Sequence, residues 1–164
     1  MTSDPAARLR QLGLELPQAP APIAAYVPTC LVPLSTGRVM VFVSGQILRH
    51  DGQPVRVGRV PEEVTVEDAT ANARFCALSV LAQLDEAVGL NNVEQIAQVT
   101  VFIRADGDFG GHPAIANGAS QLFIDVLGEA GRHARAAIGV SSLPFGVPVE
   151  VAAVAVARRG EPAV

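Results

Sequence analysis

The chain contains no lysine: all twelve of its basic residues are arginine. That absence removes several chemistries at once. No lysine Schiff base to pyridoxal phosphate or to a ketone can form, and no P-loop can place its phosphate-binding lysine. Tryptophan is also missing, tyrosine occurs once, at Tyr26, and aromatic residues make up 4% of the chain. With a formal charge of −4 and no basic stripe interleaved with aromatics, nothing marks a nucleic-acid surface. Two cysteines, Cys30 and Cys76, do not indicate a disulfide framework. No run approaches the ~18 consecutive apolar residues of a transmembrane helix. The first residues, MTSDPAARLRQ, lack the basic-then-apolar layout of a secretory signal. The expectation is a cytoplasmic protein that binds neither nucleic acid nor membrane.

What is abundant is small and aliphatic. Hydrophobic residues make up 49% and mean hydropathy is +0.34, with 164 residues available for a core. So much apolar surface on a chain of this size points to a buried subunit interface as well. A Pro/Ala run, PQAPAP at 17–22, separates a short helix expected near residues 4–13 from the body. The expected division is therefore an N-terminal helix and linker over 1–22 and a single domain over 23–164.

The body, which begins near Tyr26, reads as strands, helix, strand, helix, strands. VMVFVS (39–44) is a β-branched run ending at Gly45 and predicts a buried strand. HDGQPVRVGRV predicts a hairpin pair around turn residues 51–54. Residues 65–88 are the clearest helix: Thr65 stands three before Asp68 at capping-box spacing. Its apolar stripe includes Ala69, Ala73, Cys76, Ala77, Val80 and Leu84. Cys76 falls within that stripe and reads as a small core residue. EQIAQVTVFIR (94–104) predicts a strand, and 113–127 a second helix with Ile115, Ala119, Leu122, Phe123 and Val126 on its core face. Strands over 134–141 and 147–157 close the chain. The fold class is α/β or α+β, with two helices packed on one face of a mixed sheet.

Two charges, Arg135 and Glu150, fall inside the last two strands. An unpaired buried charge is too costly to leave alone, so each must be paired, hydrogen-bonded or at a cavity wall. Alternation puts Arg135 with Ala137 and Gly139, and Glu150 with Pro148, Ala152 and Val154. A short turn joins the strands, so the two charges are expected within a few residues of each other across the sheet. One reading is a cross-strand ion pair. The other is a pocket wall, in which arginine grips a carboxylate by two parallel hydrogen bonds and the glutamate orients a water.

At this point the sequence resembles the RidA/YjgF (L-PSP) family of imine deaminases over roughly residues 20–157. AAYVP (24–28) is similar to the family's N-terminal segment and supplies Tyr26. VFVSGQI (41–47) matches a strand ending in Ser-Gly-Gln and supplies Ser44 and Gly45. IANGAS (115–120) resembles the family's helix start and supplies Asn117. ARAAIGVSSLP followed by VEV resembles the C-terminal signature that carries Arg135 and Glu150. The resemblance implies a chorismate-mutase-like fold assembled as a homotrimeric barrel, with ligand sites in the clefts between subunits. Asn117 lies about 200° from Ile115 at ~100° per residue, away from the core stripe, where it could meet a neighbouring subunit.

The resemblance further implies hydrolytic deamination of small 2-imino or enamine acids, such as 2-iminobutanoate, to 2-keto acids and ammonia. Arg135 would grip the carboxylate. Glu150 and the Ala137 carbonyl would hold a water near the imine carbon. Tyr26 would sit by the imine nitrogen or the carboxylate, and Ser44, Gly45 and Asn117 would line the site. No metal or organic cofactor is implied. The chain departs from the family pattern at His133, where proline is usual, at Ala136 and Ala137 after the arginine, at Val151, and in a longer N-terminus. These departures bear on the substrate more than on the fold. The competing readings are a non-catalytic trimeric binder of a small carboxylate and, against the acidic balance, an endoribonuclease. His133, two residues before Arg135 on the same side of its strand, reads as a surface or rim histidine, with a role near neutral pH as the alternative.

Overall fold

A computed structural model describes residues 4–22 and 24–159. Helix α1 (Pro5–Gln11) opens with the Asp4 side chain accepting from the Ala6 amide at 3.1 Å, which satisfies a donor the helix cannot. Then come β1 (Thr29–Pro33), β2 (Arg38–Gln46), and the short pair β3 (Arg49–His50) and β4 (Gln53–Pro54). Helix α2 (Val66–Val88), β5 (Val93–Arg104), α3 (His112–Leu127), β6 (Ala134–Val140) and β7 (Val149–Arg158) follow. Five strands form one sheet in the order β1-β2-β7-β5-β6. Only β5 and β6 pair in parallel; the other neighbours are antiparallel. The fold is the expected mixed sheet with α2 and α3 on one face.

Helix α2 begins where the capping residue requires: Thr65 Oγ1 accepts from the Asp68 amide at 3.1 Å. It ends at Gly89, whose φ of 78° suits glycine. The core faces of both helices are those the periodicity marks, with Ala73, Cys76, Leu84, Ile115, Leu122 and Phe123 fully buried. Burial pushes the Cys76 thiol up to about 12, so it is a core residue and not a nucleophile. Helix α1 packs on α3, and Leu9 joins the common core.

Strand β1 lies outside what the pattern predicts. TCLVP ends in proline, which a sheet tolerates at its edge, and β1 is the edge beside β2. The hairpin expected from 51–54 narrows to two residues on each side of an Asp51-Gly52 turn with φ of 49° and 76°. The main correction concerns β6 and β7. The short connection between them suggests neighbours, but β5 lies between them.

The sheet has two unlike faces. Val39, Val41, Val43, Val99, Val101, Val151 and Ala155 are buried beneath the helices. The opposite face presents Val32, Met40, Phe42, Val154, Phe102 and Ile138 by strand alternation and register, and Phe42 and Ile138 are exposed there.

The two helices approach closely at Gly118, where an added Cβ would lie 2.1 Å from the Thr70 carbonyl oxygen. That obstacle is backbone and cannot rotate away. Gly118→Ala is expected to cost about 1–3 kcal/mol of stability by overpacking. A lowered denaturant midpoint at unchanged slope checks this.

Candidate functional site

The residues singled out by sequence fall into two clusters. The first surrounds Glu150. A bulge in β2 between Val43 and Gln46 breaks the ladder with β7, and the freed residues are Ser44 and Gly45. The Ser44 amide donates to the Pro28 carbonyl at 2.9 Å and its hydroxyl to the Val27 carbonyl at 2.8 Å. Buried Gln46 donates to the Ser44 carbonyl at 2.9 Å. Gly45 has no side chain because none fits: an added Cβ would lie 1.8 Å from Glu150 Oε1. A cavity of about 430 Å³ is lined by Ala24, Tyr26, Ser44, Gly45, Ile47, Arg49, Pro144 and Glu150. Pro144 comes from a turn in which Phe145 adopts φ 56°, an uncommon conformation for a bulky residue. Among the described residues the Glu150 carboxylate has no hydrogen-bond or ion-pair partner. Its burial raises its pKa above the ordinary glutamate value.

The second cluster surrounds Arg135 on β6, the far edge of the sheet. Register with Val99 puts Arg135 on the helix-covered face, beneath α3. There its Nη1 donates to Asn117 Oδ1 at 2.8 Å and to Ser120 Oγ at 3.1 Å. Asn117 and Ser120 are one helical turn apart, so α3 offers both acceptors on one side. Both inward bonds come from Nη1. The Nε and Nη2 edge, the parallel pair that fits a carboxylate, makes no hydrogen bond among the described residues. Val140 accepts from the Ala105 amide, so its carbonyl turns toward β5. By alternation the Ala137 carbonyl turns the other way, to the outer edge of the sheet.

Arg135 and Glu150 are not cross-strand neighbours within one chain. Arg135 is level with Val99 and Glu150 with Phe102, two strands apart and on opposite faces. The cross-strand ion pair is thereby excluded, and a small ligand cannot touch both residues of one chain. Asn117 does lie off the core stripe, but it accepts from Arg135 of its own chain. Tyr26, Ser44, Gly45 and Glu150 come together; Arg135, Asn117 and Ala137 come together elsewhere.

Sequence reasoning missed Ser120, Arg49 and Pro144. Ser120 was findable, standing three residues after Asn117 on the predicted helix. Arg49 was not, since its place in the cavity depends on how the short β3–β4 pair folds back.

The profile described as "YjgF/chorismate_mutase-like, putative endoribonuclease" matches residues 6–154. The Protein TCP17 of Trypanosoma cruzi is 40% identical over 148 residues, 89% of each chain. A crystal structure of a "putative endoribonuclease" from Shewanella oneidensis superposes with a TM-score of 0.85 at 30% identity, covering 93% of this chain and 99% of that one. The Escherichia coli protein TdcF, solved with bound serine, gives a TM-score of 0.59 at 28% identity over 85% and 93% of the two chains. The chain belongs to the YjgF/chorismate-mutase-like family.

The close contact between Gly45 and Glu150 yields a test. The obstructing atoms belong to the end of a side chain that can move, so Gly45→Ala is expected to fold. It should swing the carboxylate out of its half-buried position and bring its pKa down toward the ordinary value. Carboxyl titration by NMR in the variant and the parent measures this.

Proposed function

We propose that the protein hydrolyses small 2-imino or enamine acids to 2-keto acids and ammonia, at sites that two copies of the chain build together. The observation that carries this reading is the guanidinium of Arg135. Its Nη1 is fixed by Asn117 and Ser120, while its carboxylate-matching edge makes no hydrogen bond among the described residues. A fixed guanidinium with that edge available fits a small carboxylate. The bound serine of TdcF is itself a small amino acid carrying a carboxylate.

Catalysis then needs the other cluster. Glu150 and Arg135 of one chain point to opposite faces, so the half-site at Glu150 is completed by the edge strand β6 of a neighbour. The apolar open face of the sheet, with Phe42 and Ile138 exposed, supports a closed assembly that buries it, and a homotrimer is the form we propose. In that cleft Arg135 holds the carboxylate. Glu150 and the outward Ala137 carbonyl hold a water at the imine carbon. Tyr26 lies beside the imine nitrogen. Addition gives a tetrahedral amino alcohol, and loss of ammonia leaves the keto acid. The imine is already activated, so positioning and one oriented water suffice.

The alternative is a trimer that binds a small carboxylate without turning it over. An endoribonuclease finds less support in a lysine-free chain with net charge −4.

The test generates 2-iminobutanoate and 2-aminoacrylate in place with an amino-acid oxidase or dehydratase. Semicarbazide traps what survives. Wild type is expected to release keto acid faster than the spontaneous reaction, and Arg135→Ala to return the rate to that background. Binding of 2-oxobutanoate without any acceleration would leave only the binding reading. The rate should also depend on ionised Glu150. Burial raises its pKa, so the acid limb of the pH–rate profile should lie above the ordinary glutamate value, and Glu150→Gln should abolish that limb.

A further inference from the structure

From Arg135 the hydrogen bonds run through Ser120 to a histidine. His133 Nδ1 lies 2.6 Å from the Gly131 carbonyl oxygen. A carbonyl only accepts, so Nδ1 carries the proton. His133 Nε2 lies 2.9 Å from Ser120 Oγ. In the neutral ring this nitrogen is the acceptor, so the serine hydroxyl donates its proton to it. Ser120 Oγ in turn accepts from Arg135 Nη1 at 3.1 Å. The three bonds run in one direction: guanidinium to serine oxygen, serine proton to imidazole, imidazole proton to backbone carbonyl. Each bond fixes the next, so the tautomer is set by the fold and not by solvent.

A serine whose proton points at an unprotonated imidazole nitrogen, with the other ring nitrogen tied down, has the geometry of an activated hydroxyl. The arrangement differs from a packing hydrogen bond in two ways. A cation sits on the serine oxygen and stabilises negative charge there. The burial of the imidazole also favours its neutral form. Around His133 stand Ser120 and the Phe123 ring from α3, at a centroid distance of 5.7 Å, the Gly131 carbonyl from the preceding turn, and Arg135 from β6. Arg135 is the charged group facing it; Arg132 and Glu129, in the same turn, pair with each other at 3.0 Å. Burial lowers the His133 pKa, the Gly131 carbonyl opposes that shift, and the Arg135 charge lowers it further.

We propose that Ser120 and His133 form a proton-transfer dyad, with the Ser120 hydroxyl facing the substrate beside Arg135 and His133 as the base behind it. The proposal deepens the deaminase reading and rests on it for its substrate. As water adds to the imine carbon, Ser120 passes its proton to His133 Nε2 and takes one from the water. The imidazolium returns that proton through Ser120 to the imine nitrogen, giving the amino alcohol. The dyad then takes the carbinol hydroxyl proton and delivers it to the amine, so that the C–N bond breaks, the carbonyl forms and ammonia leaves. Both groups end in their starting states, and no other reactant is consumed.

The dyad can be tested separately from imine turnover. Diisopropyl fluorophosphate reacts with an activated serine: the Oγ–P bond forms, the P–F bond breaks, fluoride leaves, and the hydroxyl proton goes to His133. Peptide mass spectrometry of the full-length protein is expected to show the adduct on Ser120, and at least tenfold less of it in His133→Gln, whose amide can accept a hydrogen bond but is no base. An unlabelled Ser120, or equal labelling in the variant, overturns the proposal. In the imine assay Ser120→Ala and His133→Gln should each lower kcat tenfold or more with KM nearly unchanged. A raised KM at unchanged kcat would show that Ser120 merely braces Arg135, and would also overturn it. The His133 limb of the pH profile, below the ordinary histidine range, should vanish in His133→Gln. If wild type turns over no imine but the adduct still forms on Ser120 and needs His133, the deaminase reading falls and the dyad stands.

Discussion

The parallel pairing of β5 with β6 is the constraint from which the site follows. Parallel neighbours cannot be joined by a tight turn, so the chain must leave β5, cross as α3 and return as β6. That crossing lays α3 over the strand it delivers. Arg135 therefore emerges beneath the helix that carries Asn117 and Ser120, and two acceptors one turn apart take its inner nitrogen. The same crossing sends β6 to the sheet edge, where the outward carbonyl of Ala137 has no strand to meet. An antiparallel β6–β7 hairpin would have brought Glu150 near Arg135 across the sheet.

The centre of the sheet, where β7 carries Glu150, solves a different problem. A carboxylate without a partner resists burial, and Glu150 is kept half-buried by local backbone geometry and not by a counter-charge. The β2 bulge pulls Ser44 and Gly45 out of the ladder, and the missing Cβ at Gly45 leaves the volume that the carboxylate fills. The result is a carboxylate whose burial raises its pKa above the ordinary glutamate value. Arg135 at one edge of the sheet and Glu150 over the bulge lie on different faces of a single chain. In the assembly we propose, these two residues come from different copies, and the apolar face of the sheet is what association would bury.

Local signals carried far in this chain. Thr65 and Gly89 bound α2 as their capping chemistry requires, and the stripes on both helices are the buried faces, because amphipathic periodicity directly reports which side meets a core. Strand β1 was not legible: five residues at an edge, ending in proline, carry little alternation. The neighbourhood of β6 and β7 was misleading because a short connection does not imply pairing when a third strand can slide between.

The sequence by itself determined the helices, most strands, the family, and the identities of Arg135, Glu150, Asn117 and Tyr26 as candidates. These rest on local spacing and on residue types that a given chemistry demands. Only the tertiary structure decided that Arg135 and Glu150 lie on opposite faces, that Ser120 links Arg135 to His133, and that Gly45 makes room for a carboxylate. Those relations depend on strand order, register and helix placement, which are set by long-range packing and have no signature in any short stretch of residues.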